Sequence, residues 1–109
     1  MRVVLCNVPP DQAAPIASAL VEQQLAACVT ATQVTSTYRW DGAVHHDPEV
    51  SLTIKVAEHG LERLRDALLA LHPYDCPEVV VLGVDVQASH GAYVDWVRAS
   101  TGGPPTRPQ

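Results

Sequence analysis

Residues 29–56 read VTATQVTSTYRW, then DG, then AVHHDPEVSLTIKV. Threonine, valine, tyrosine and tryptophan suit a pleated surface, so Val29 to Trp40 is expected to form one strand, about twice the usual length. Asp41-Gly42 is a hairpin signal, because both residue types accept the positive φ that a tight reversal requires. The return strand alternates clearly. Val50, Leu52, Ile54 and Val56 point one way, while Glu49, Ser51, Thr53 and Lys55 point the other. One face of the hairpin is therefore core, and the other is left for solvent or a partner.

Working outward, Val3 to Val8 is a short valine-rich run closed by Pro9-Pro10, which fits a buried strand. Asp11 stands where a helix N-cap belongs, ahead of Ile16, Leu20, Val21 and Leu25 at helical spacing. Downstream, Leu61, Leu64, Leu68 and Leu71 form one helical stripe between Glu58 and His72, and Pro73 ends it. Val79 to Val86 reads as a further buried strand, and Tyr93, Trp96 and Val97 as a short terminal helix closing at Gly102-Gly103. The order is β-α-β-β-α-β with an added C-terminal helix. It predicts an α+β, ferredoxin-like fold with an antiparallel sheet covered by helices on one face. Residues 1–101 make one domain, and 102–109, with three prolines and no large apolar side chain, are expected to be a disordered tail. The hairpin outruns the sheet that its own chain supplies, and an unpaired strand of that length invites a second chain. Self-association is therefore expected.

Composition narrows the function. With 47% apolar residues, 16 valines and no phenylalanine, the core must be aliphatic and β-branched. Seven basic residues against 12 acidic ones argue against a nucleic-acid backbone as partner. Cys6, Cys28 and Cys76 are an odd set without paired spacing, read as reduced thiols in a cytoplasmic protein. Val3 to Cys6 is too short a run for a signal core or a membrane span. No phosphate loop, GxGxxG, HExxH, CxxC or GxSxG occurs, which removes most motif-defined enzyme classes.

The remaining chemistry lies in scattered thiols and imidazoles, donors that suit copper or zinc better than hard cations. His45-His46-Asp47 resembles a metal cluster, yet neighbours on a strand leave opposite faces, so a solvated arm is the competing reading. Cys28 opens a strand, either as a small buried hydrophobe or in a redox or metal role. His59 and His90 sit at helix starts, in surface or capping positions. Leu71-His72-Pro73-Tyr74-Asp75-Cys76-Pro77-Glu78 sets a histidine, a tyrosine, a thiol and two carboxylates between two prolines. Such a stiff loop is either a binding element or the plain junction of a helix and an edge strand.

Several of these segments occur together in one register. Leu25-Ala26-Ala27-Cys28-Val29, Val34 to Gly42, Glu49-Val50 with Ile54-Lys55, Leu71 to Tyr74 with Pro77-Glu78, and Tyr93 to Trp96 resemble the CutA divalent-cation tolerance family. The resemblance runs from Val3 to Thr101. It implies a cytoplasmic homotrimer whose hairpins pair between subunits, similar to the PII signalling proteins, with no reaction firmly attached. It implies metal response, with copper or another divalent cation at His72 and with Cys28 as a matching sulfur position, while Cys76, this chain's own thiol in the His72 loop, is a second sulfur candidate. It also implies an intersubunit cleft drawing on Tyr38, Trp40, Lys55, Tyr74 and Glu78. A PII-like small-molecule sensor and an enzyme using Cys28 or His72 are the alternatives. The chain departs from the family pattern at Ala43, where lysine is customary, and at Asp75-Cys76, where Glu-Val is usual. The segment after Cys28 is also one residue shorter.

Overall fold

The computed structural model describes residues 1–101. Strand β1 (Arg2–Val8) leads through a 3-10 turn at Pro10–Gln12 into helix α1 (Ala13–Glu22). The hairpin β2 (Cys28–Trp40) and β3 (Ala43–Val56) follows. A 3-10 turn at Glu58–Gly60, helix α2 (Leu61–Leu71), strand β4 (Val80–Gly83) and helix α3 (Gly91–Ala99) complete the chain. The sheet is antiparallel with strand order β2-β3-β1-β4. This is the expected split-βαβ arrangement, with the first and third strands at the centre.

The hairpin turns where its residues predicted. Asp41 (φ 53°) and Gly42 (φ 77°) both adopt left-handed geometry, matching the right-handed twist of the flanking strands. The ladder then runs unbroken from Trp40↔Ala43 to Cys28↔Lys55. The tail of β3 also pairs with β1, from Val8↔Val50 to Arg2↔Val56. Residues 43–49 of β3 have no such second neighbour. With 34–40 of β2 they form a two-stranded arm projecting beyond β1.

The core lies between the sheet and the first two helices. Val4, Cys6 and Val8 of β1 and Val50, Leu52, Ile54 and Val56 of β3 pack against Ile16, Leu20, Leu64 and Leu68. Each large aliphatic side chain removed from water here contributes roughly 1.5–3 kcal/mol before entropy is charged. Helix α3 seals one end, where Val94 and Val97 meet Met1 and Ala27. Its Tyr93 and Trp96 face outward.

Local readings needed correction. Asp11 is not the cap of α1. It sits inside the 3-10 turn, and Gln12 precedes the helix without a side-chain cap bond. Val21 and Leu71 leave their expected stripes for the surface. Helix α1 ends before Leu25, because Gln24 turns left-handed (φ 59°) and Leu25 N–H bonds back to the Leu20 carbonyl at 2.9 Å. The last strand is shorter than Val79 to Val86 and is not buried: Val80, Val81 and Leu82 are 40–45% exposed. As an edge strand it pairs with β1 alone, and no other strand among the described residues lies on its outer side. The tail at 102–109, including the expected stop at Gly102-Gly103, lies outside the described residues.

Candidate functional site

A cleft of about 890 Å³ opens at the root of the arm, where β2, β3, the end of β1 and the loop after α2 converge. Tyr38 and Trp40 come from β2, Asp47 and Glu49 from β3, and Tyr74, Asp75, Cys76 and Glu78 from the two-proline loop. The strands place these groups together by alternation. Tyr38, Trp40, Asp47 and Glu49 share the sheet face opposite the helices, since Tyr38 pairs with His45 and every second residue follows it. The Tyr38 hydroxyl donates to Asp47, and the Tyr74 hydroxyl donates to Glu49 Oε2 at 2.8 Å. Both phenols are thereby held protonated. The bond to Asp47 pushes the Tyr38 hydroxyl above its ordinary range, and burial followed by the Glu49 bond raises that of Tyr74.

His72 fixes the loop to the sheet. It is buried at the C-terminal end of α2, and its ring lies 4.7 Å from that of Tyr74. The Tyr74 backbone N–H donates to Nδ1 at 3.2 Å, so Nδ1 is an acceptor and the ring proton sits on Nε2. Nε2–H then donates to the Asn7 carbonyl at 2.8 Å. Both ring nitrogens are thus engaged within the fold. Beneath the cleft, Cys6 is fully buried, and desolvation, reinforced by Glu78 and Glu49, pushes its thiol up to about 12. It is an inert core residue.

The remaining sequence candidates lie elsewhere. Cys28 and Lys55 pair at the opposite end of the hairpin. Lys55 is six residues from Glu49 along β3, about 20 Å at strand rise; its ammonium donates to Thr30 Oγ1 at 3.1 Å. Cys28 sits near Tyr93, whose hydroxyl is pushed up by burial and then by the thiol. Cys28 lies level with Val3, four residues and about 14 Å along β1 from the Asn7 carbonyl that holds His72, so the two make no nucleophile–base pair. The paired histidines split as expected: His46 Nδ1 meets Thr37 Oγ1 at 3.0 Å on one face, while His45 stacks on Tyr38 on the other. Among the described residues, no three His, Cys, Asp or Glu side chains converge to hold a metal ion.

A model of the CutA1 divalent ion tolerance protein family matches residues 2–100. The chain belongs to this family. The divalent-cation tolerance protein CutA of Thermus thermophilus is 44% identical over 103 residues, spanning 93% of this chain and 98% of that protein. The solved structure of the PII-like protein CutA from Nostoc sp. PCC 7120 in apo form superposes with a TM-score of 0.92 at 43% identity. The match covers 94% of this chain and 98% of that one. The chloroplastic protein CutA of Arabidopsis thaliana is 37% identical over 101 residues, covering 91% of this chain and 54% of that protein.

Of the residues that the CutA resemblance put forward for a cleft, the fold gathers Tyr38, Trp40, Tyr74 and Glu78 and leaves Lys55 out. Of the three metal candidates, Cys76 lines the cleft, His72 braces it from behind and Cys28 is remote. Sequence reading missed Asn7, Asp47 as a partner of Tyr38, and above all Glu49. Glu49 sits on the polar side of the alternation yet is only 8% exposed. A signal was present, because a carboxylate at the junction of arm and core must find a donor, and the tyrosine of the stiff loop is that donor. No helix among the described residues is long and apolar enough to cross a membrane.

Proposed function

We propose that this chain is a non-catalytic, homotrimeric divalent-cation tolerance protein, PII-like in that its arms pair with neighbouring subunits and close the arm-root clefts into small-molecule sites. The carrying observation is the arm itself. Its strands lack the second neighbour that β1 gives the rest of β3, and Trp40 and Val44 are each 53% exposed on it. Aromatic and aliphatic groups so placed mark an interface. The bare edge of β4 and the outward Trp96 offer a second apolar surface to the same assembly. The three unpaired thiols favour the cytoplasm as its compartment.

Copper is the divalent ion to test on the two-proline loop, at His72 with Cys76. We expect weak binding, because an ion at either imidazole nitrogen displaces one of the two internal hydrogen bonds. Light scattering at micromolar concentration should give about three times the 11.7 kDa chain mass, and a monomer mass overturns the assembly. Copper titration of the wild type, His72→Ala and Cys76→Val then reads the metal, and equal affinity in all three removes the loop from metal binding.

A further inference from the structure

The cleft has an unbalanced lining. It presents four carboxylates, from Asp47, Glu49, Asp75 and Glu78, and no lysine, arginine or histidine. Two of them accept phenolic hydrogen bonds, which orient a carboxylate without neutralising it. Glu49 is the telling member. More than nine-tenths of it is buried, its one hydrogen-bond partner among the described residues is the neutral Tyr74 hydroxyl, and neither ion pair among those residues includes it. A carboxylate withdrawn from water in this way lacks the opposite charge that ordinarily accompanies burial.

The shape of the cleft decides what kind of cation could supply that charge. About 890 Å³ suits a small organic molecule and far exceeds a bare ion. The donor atoms do not converge as a metal shell requires. The same walls carry Tyr38, Trp40 and Tyr74, each 40–53% exposed, and aromatic faces attract ammonium and guanidinium groups through the ring quadrupole. In the lining that one protomer supplies, an anionic effector would meet four carboxylates and no lysine, arginine or histidine.

We infer that the arm-root cleft is a receptor for a small organic cation carrying ammonium or guanidinium groups, held by Glu49, Asp75 and Glu78 and by the ring faces of Tyr38 and Tyr74. The inference rests on the reading of the cleft as a ligand site of the assembled trimer and names the ligand class for it. Putrescine, a diamine able to address two carboxylates at once, is the probe. The diol of equal length and succinate serve as neutral and anionic counterparts.

Calorimetric titration of the intact protein should show saturable binding of putrescine alone among the three, weakening as salt rises. Asp75→Asn combined with Glu78→Gln should weaken it about tenfold or more while mass and circular dichroism stay unchanged, because neither side chain holds the fold through a hydrogen bond among the described residues. Equal binding of the diol, or wild-type affinity in the double variant, overturns the inference. So does an absence of binding up to about 10 mM. Arg39, exposed near the arm tip, provides one more arm of the test. If wild type ignores putrescine and Arg39→Gln binds it, the cation is the neighbouring subunit's guanidinium, and the free-ligand inference falls. Failure of the underlying assembly reads differently, as an 11.7 kDa particle, whereas failure of the ligand class leaves a trimer that does not respond to the diamine.

Discussion

Strand β3 is two strands in one. Its second half, Val50 to Val56, pairs on both sides as far as Lys55, buries every other residue and follows the hydrophobic alternation without a break. Its first half, Ala43 to Glu49, pairs on one side, leaves valine and histidine in water and carries Asp47 and Glu49. The backbone is equally regular in both. Neighbours make the difference: where β1 and the helices are present, the side chains serve the fold, and where they are absent, the side chains face outward except Glu49, which Tyr74 of the loop after α2 holds. Hydrogen-bonded backbone is therefore a poor guide to where this protein invests its burial.

The comparison predicts unequal responses to mutation. Leu52 is wholly buried at the centre of the doubly paired half. Leu52→Ala should lower the folding free energy by about 3 kcal/mol in urea denaturation, through lost transfer energy plus a residual cavity. Thr53→Ala, on the next residue and the opposite face, should stay within about 0.5 kcal/mol. Equal costs at the two positions would erase the distinction between faces on which the fold argument rests.

The arm should respond in association rather than in folding. Trp40 lies next to the turn and belongs to neither core cluster of the described residues. Trp40→Ala should leave the far-ultraviolet spectrum intact and weaken assembly by about 2 kcal/mol or more per arm, since buried tryptophans dominate interfaces. The readout is particle mass against concentration, moving toward 11.7 kDa on dilution. Unchanged mass and melting temperature would show that the arm is not an interface.

Legibility in the sequence divides along the same line. The element order, the Asp41-Gly42 reversal and the alternation of Val50 to Val56 could be read directly, because local φ preferences and burial periodicity both act within a few residues. Asp11 misled because the Pro9-Pro10 pair drives a 3-10 turn ahead of the helix, which moves the cap position one residue downstream. Val80 to Leu82 misled because an apolar run identifies a strand but not its place in the sheet; at an edge the same residues are bare. Lys55 and Tyr38 share a family resemblance and a sheet face, yet strand rise separates them by more than the cleft spans. The Tyr74–Glu49 and His72–Asn7 bonds join residues 25 and 65 positions apart, and no local pattern encodes such pairings. The site is assembled by topology, from residues whose individual signals are weak.

A smaller test asks whether the well-packed end depends on charge at all. Glu58, in the turn before α2, bridges Arg98 of α3 (Nη2 to Oε2, 2.8 Å) and the amino group of Met1, tying the start of β1 to the last helix. The Arg98 hydrogen bond, followed by that of the amino group, holds the Glu58 carboxyl well below the usual carboxylate range. A lowered folded-state value means that the contribution is complete above the unfolded value, near ~4.3, and is lost as pH falls from there through the folded value. With the Glu58 and Arg98 side chains each 41% exposed, solvent screening reduces the contribution to about 0.5 kcal/mol. Glu58→Gln should cost that much at neutral pH, and the gap from wild type should begin to narrow below about pH 4 and close only as pH falls through the lowered folded-state value, where the wild-type carboxyl protonates and comes to resemble the amide. Added salt should narrow the gap at neutral pH in the same way. A difference that persists unchanged in acid and in high salt would show that the Glu58 carboxylate charge is not what the substitution removes, and this end of the molecule would then owe its stability to packing, as the rest of the core does.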